Sequence, residues 1–76
     1  MQKKHESLNL HQKIEILIQE MVEKELDLKD AMREFEKIYI ETASKKYQGN
    51  MTKTAKALGV HRNTLRNRVK FLKIKK

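Results

Sequence analysis

The chain has 76 residues, with 18 Lys plus Arg against 10 Asp plus Glu, 38% apolar residues, and no Cys, Pro or Trp. That is one small domain at most, and a chain of this size buries only about 60% of the surface its unfolded form exposes, so a partner is expected to contribute to its stability. The lack of cysteine excludes disulfides, thiol catalysis and Cys-ligated zinc, and the net charge of +8 points to an anionic partner.

Uninterrupted apolar stretches reach only three residues, as at residues 16 to 18, far short of the roughly 20 a membrane span requires. Residues 1 to 8 are mostly polar and lack the apolar core of a signal peptide, so they read as a linker before a domain at residues 9 to 76. The expected setting is the cytoplasm, with no membrane. Asn9 is a candidate cap for a first helix, with Gln12 three residues on as its capping-box partner. Leu10, Ile14, Leu17 and Met21 then recur at alternating spacings of four and three. Ile16, Ile18 and Val22 widen this stripe beyond what one neighbouring helix would cover, which implies a second partner surface.

The first helix is predicted over about residues 9–25. Asp27 and Asp30 are candidate caps for a second helix over about 28–47, whose expected apolar face is Leu28, Ala31, Met32, Phe35, Ile38, Tyr39 and Ala43. Gly49, just past Lys45 and Lys46, reads as a left-handed helix end. A short helix over 51–58 comes next, capped by Asn50 and ended by Gly59. A fourth is predicted over 62–72, with Leu65, Val69 and Leu72 on one face and Arg62, Asn63, Arg66, Asn67 and Lys70 on the other. No strand signal appears, so the fold class is all-α, with residues 73 to 76 expected to fray.

Charge divides the chain. Residues 1 to 42 hold seven basic and all ten acidic residues, a net −3, whereas residues 43 to 76 hold eleven Lys and Arg and no carboxylate. A one-sided block of this kind is an anion-binding candidate. Within it, two short helices joined by Gly59-Val60-His61 form a helix-turn-helix pattern. Ala55 is small where the helices must cross, Gly59 supplies the turn, and Leu58, Val60, Leu65 and Val69 form the expected wedge. Arg62 near the helix start is the expected base-reading residue, since a guanidinium donates two parallel hydrogen bonds to guanine O6 and N7; His61 and Asn63 are expected to add base contacts. Asn50, Thr52 and the first free N–H groups of the third helix are placed to hold phosphate, and Arg66, Asn67, Arg68 and Lys70 are expected on the DNA backbone. For Asn50 and Thr52 the simpler reading is helix capping, which is compatible with phosphate binding. Arg68 falls on a flank, where a solvated charge is about as good a reading.

The segment from Gly49 through Arg66, of the form G-N-x-[ST]-x-x-A-x-x-L-G-[IV]-x-[RK]-x-T-L-x, resembles the DNA-binding domain of the Fis family. That family includes the C-terminal domains of nitrogen-regulator-type, sigma-54-dependent activators. The resemblance extends over about residues 28 to 72 and rests on amphipathicity alone in the first helix. It implies a homodimer in which the two helices before the helix-turn-helix form a dimeric four-helix bundle, with recognition helices entering successive major grooves of an inverted-repeat site. On that reading the dimer interface is Leu10, Ile14, Leu17, Ile18, Met21, Phe35 and Ile38. Arg62 matches the family's guanine-reading arginine, and Asn50, Thr52, Thr64 and Arg66 match backbone-contacting positions. His61 and Asn67 depart from the family's nucleoid protein, which has Asn and Lys there.

The function expected is sequence-specific double-stranded DNA binding, as the enhancer-tethering domain of a bacterial activator that meets RNA polymerase machinery only through other domains. The runner-up is a freestanding, nucleoid-associated protein that bends DNA. No cofactor is implied. An enzyme is not expected, because His5, His11 and His61 have neither metal-ligand spacing nor a partnering carboxylate pair. A membrane-surface reading, with Phe71 and Ile74 as inserting groups, is disfavoured by the Asn and Thr on the polar face of the last helix. A pure dimerisation module with an incidental basic tail is the third alternative.

Overall fold

The computed structural model describes residues 8–74, and among them there are four helices and no strand. Residues 1–7, most of the expected linker, and Lys75 and Lys76 lie outside the described residues. The described chain divides into two compact units whose boundary falls between Ala31 and Met32.

In the first unit, Asn9 accepts from the Gln12 N–H at 2.8 Å and its own N–H donates to Gln12 Oε1 at 2.9 Å, a reciprocal capping box. Helix α1 runs Leu10–Glu23 and buries no residue; Leu10, Ile14, Leu17, Ile18 and Val22 are all exposed. It ends short of the expected residue 25 because Glu25 turns left-handed, at φ 60°. The Leu26 N–H then reaches the Met21 carbonyl at 3.2 Å and the Glu25 N–H reaches Val22 at 2.9 Å. This paired closure satisfies carbonyls that the last turn leaves open, with an acidic residue where glycine is usual. Asp27 caps the second helix, its Oδ1 accepting from the Asp30 N–H at 2.8 Å.

Helix α2 spans Leu28–Lys46, one residue less than expected. Its C-terminal end closes through the Gly49 N–H, which donates to the Ser44 carbonyl at 2.9 Å. The left-handed turn takes two residues, Gln48 at φ 54° and Gly49 at φ 78°. Helix α3 then covers Met51–Leu58 and helix α4 covers Arg62–Leu72.

The core of the second unit is Ile40, Ala55, Leu65, Val69 and Leu72, with Met51, Leu58 and Ile74 packed against it. Helices α3 and α4 are the closely packed pair. Ala55, 3% exposed, is small at their crossing as its spacing requires. Three expectations need correcting. Val60, assigned to the wedge, is 40% exposed. Ile74, expected to fray, closes α4 instead, its N–H donating to Val69 at 3.0 Å while its side chain packs on the core. The third concerns α2, where the one buried residue is Ile40 and not a member of the expected stripe. Met32, Phe35, Ile38 and Tyr39 stay exposed. Ile40 shares its line along the helix with Arg33, Glu36 and Ser44, at spacings of three and four. Ile40 is therefore the one buried residue that α2 sets against the core, and the residues in line with it are polar.

Candidate nucleic-acid interface

Local capping builds the N-terminal end of α3. Asn50 Oδ1 accepts from the Lys53 N–H at 2.9 Å, and the Asn50 carbonyl accepts from both the Thr54 N–H at 2.9 Å and Thr54 Oγ1 at 2.8 Å. Thr54 is thereby buried without an unsatisfied hydroxyl. Sequence reasoning passed over this residue; a threonine four residues after a cap, beside a small alanine at a helix crossing, was the available signal. Thr52, two residues into α3, is exposed.

Gly59 ends α3 in the left-handed conformation, at φ 74°. Its N–H returns to the Ala55 and Lys56 carbonyls, and Val60 N–H bonds Ala55 at 3.0 Å. The chain then re-enters a helix at once. His61 is the cap of α4, its Nδ1 accepting from the Asn63 N–H at 3.1 Å. With Nδ1 so used, the neutral ring carries its proton on Nε2 and presents a donor outward. Arg62 is the first residue of α4, exposed, and its Nη1 donates to Thr52 Oγ1 at 3.4 Å, a long contact joining the two helix starts. A hydroxyl that accepts from Arg62 still has its own proton to give to a phosphate oxygen.

From Arg62 onward, Asn63, Arg66, Asn67 and Lys70 are all exposed, opposite the buried Leu65, Val69 and Leu72. A helix about 10–12 Å across, carrying donors on its open side, matches a major groove about 12 Å wide. Thr64 and Arg68 lie elsewhere. Thr64 lines an open groove of about 390 Å³ together with Met32, Phe35, Tyr39, Leu58 and Val60.

Arg68 is turned to α2 and held there. Its Nε and Nη2 donate to the two carboxylate oxygens of Glu36 at 2.6 and 2.5 Å, a bidentate fork. Its guanidinium also lies 4.9 Å from the Phe71 ring centroid, and Arg33 lies 5.4 Å from the same ring. The fork holds the Glu36 carboxyl below the usual carboxylate range, outweighing the partial burial that pushes it up, and it raises Arg68 in turn. Sequence reasoning missed Glu36, Arg33 and Phe71 as a group. The signal was present in the Arg33, Glu36, Ile40 spacing, but it is visible only once α4 is known to lie against that line.

Among the described residues, no group of three or more His, Asp or Glu could hold a metal ion, and no helix is long and apolar enough to cross a membrane. Two short helices crossing at Ala55, a left-handed glycine turn and a second helix with a cationic open face define a helix-turn-helix DNA-binding unit. The family profile described as bacterial regulatory protein, Fis family, matches residues 31–71, more than half of the chain. The chain belongs to that family, and in general terms it is a DNA-binding transcription regulator. Helix α1 lies outside the matched residues. Neither a curated protein nor a solved structure matches the chain.

Proposed function

We propose that the protein binds an inverted-repeat site on double-stranded DNA as a homodimer, and serves as the DNA-binding domain of a sigma-54-dependent activator tethered to enhancer sites. The observation that carries the sequence-reading part is Arg62. It is exposed at the first position of α4, beside Thr52 at the start of α3, within a stretch of chain that contains no acidic side chain. In this reading Arg62 donates to guanine in the major groove, with His61 Nε2 and Asn63 as flanking donors. Asn50, Thr52, Arg66, Asn67 and Lys70 take the DNA backbone, whereas Thr64 faces the groove beside α2, and the N-terminus of α3 adds its free N–H groups and its positive end.

The open apolar faces support the dimer. Leu10, Ile14, Leu17 and Ile18 on α1, and Phe35 and Ile38 on α2, are apolar side chains left exposed to water on a chain of only 76 residues. Two copies that cover these faces remove that area from water and form the four-helix bundle the family resemblance implies.

The test is selection from a randomised duplex pool at near-physiological salt, followed by sequencing of the bound fraction. An inverted repeat with guanines at fixed half-site positions is expected, and Arg62→Ala should cost about 1–3 kcal/mol on the selected duplex and relax preference at those guanines. Tight binding with no enriched motif would instead favour the freestanding, DNA-bending alternative, in which shape and deformability replace base contacts.

A further inference from the structure

We propose that Arg68 is a positioning residue rather than a DNA contact, and that the Glu36–Arg68–Phe71 cluster sets the angle at which the recognition helix is presented. This rests on the reading of Arg62 as a base contact. The apolar joint between α2 and α4 is thin, since Ile40 is the one buried residue α2 contributes to it. Apolar contacts are non-directional and by themselves define the tilt of a short helix less sharply than directional ones. The fork of Arg68 onto Glu36 is directional, with two parallel hydrogen bonds in one plane. Phe71 limits the guanidinium from a third direction at 4.9 Å, and Arg33 of α2 lies 5.4 Å from the same ring. Three side chains of α2, namely Arg33, Glu36 and Ile40, thus fix α4 at points with different chemistry.

The lever arm makes this matter for recognition. Arg62 stands six residues, about 9 Å, up the helix from Arg68, so a tilt of about 10° there moves the base-reading end by about 1.6 Å. Bidentate base readout tolerates only about 0.5 Å. Phosphate contacts by long, flexible side chains tolerate far more. Loss of the cluster therefore degrades sequence discrimination while sparing general affinity for DNA.

The experiment compares affinity for the duplex selected by the wild-type protein with affinity for a scrambled duplex of equal length, over a salt series. The proteins are the full-chain wild type, Glu36→Gln, Arg68→Gln, the charge-swapped double variant Glu36→Arg with Arg68→Glu, and Arg62→Ala. With Glu36→Gln, the ratio of the two affinities is expected to fall at least fivefold, about the smallest discrimination one bidentate arginine–guanine pair provides. Scrambled-duplex affinity should hold or rise, with a steeper salt slope as Arg68 becomes available to phosphate. The double variant should restore the ratio, since the pair re-forms with its charges exchanged. An effect on folding alone would weaken both duplexes in proportion to the folded fraction read by circular dichroism, and would overturn the proposal. So would an unchanged ratio in Glu36→Gln, or a uniform loss on both duplexes with a shallower salt slope in Arg68→Gln, which is the behaviour of a phosphate contact. Arg62→Ala separates the two ideas: if it abolishes the wild-type preference, base reading stands and the cluster is judged on Glu36→Gln alone. If the wild type shows no preference, both readings fall.

Discussion

At the scale of single residues, the helix-turn-helix depends on one backbone conformation. Gly59 sits at φ 74°, and a Cβ built there meets nothing within 4 Å. Substitution therefore strains the backbone without a clash, so Gly59→Ala should cost about 1–2 kcal/mol from the left-handed conformation alone. Gly59→Asn should cost less, because a short polar side chain tolerates that region. Urea titrations of both variants measure this; equal losses would mean that something other than backbone conformation constrains the position. The role of Gly59 was legible in the sequence because left-handed ends are local and depend on residue type. The left-handed turns at Glu25 and Gln48 were not, since nothing about glutamate or glutamine announces them. They arise from helix ends whose carbonyls needed closing.

At the scale of elements, the joint between α2 and α4 carries a pH signature. The Glu36 carboxyl is held low by Arg68, so the ionised form is favoured by folding. Its contribution is fully present above the usual carboxylate range and is lost as pH falls through the depressed folded value. Glu36→Gln should accordingly lower Tm at neutral pH, and the gap to wild type should close in acid once the wild-type carboxyl is protonated. The gap at neutral pH should be small, since the two side chains are 32% and 42% exposed and solvent screens them. Thermal melts across the acid range check the sign; a gap that widens in acid would assign the pair the wrong role. The helices themselves were largely readable from caps and periodicity. The face of α2 that meets α4 was not, because the apolar stripe through Met32 and Phe35 outweighed the single Ile40 on the polar line.

At the scale of the whole molecule, charge and exposed apolar area make separate predictions. Residues 43 to 76 carry eleven cations and no carboxylate, so two copies on one site would neutralise many phosphates. With roughly 6–10 such contacts, affinity should fall about 10³- to 10⁵-fold between 50 and 200 mM salt. A flat salt response would remove the electrostatic basis of binding. The apolar faces of α1 and α2 predict self-association: sedimentation equilibrium at micromolar concentration should report a dimer, and Ile18→Lys should shift it toward monomer. A well-folded wild-type monomer under those conditions would rule out the bundle. Neither expectation depends on the detail of the recognition helix; the size of the salt effect assumes two copies on the site, whereas the sedimentation result involves no DNA.

The sequence by itself determined what is local or additive. The helix caps at Asn9 and Asn50, the glycine turn, the small Ala55 at the crossing and the uninterrupted cationic block are each set by residues close together in the chain. Capping preference, left-handed tolerance and net charge need no knowledge of distant chain. Tertiary structure alone decided which line of α2 lies against the recognition helix, that the Ile74 side chain packs on the core, and that Arg68 is bound by Glu36, 32 residues earlier in the chain, while Arg62 and Arg66 stay exposed. Helical periodicity says which side chains share a face but not which face another helix will cover. That choice is made by packing and by directional contacts between residues far apart in sequence.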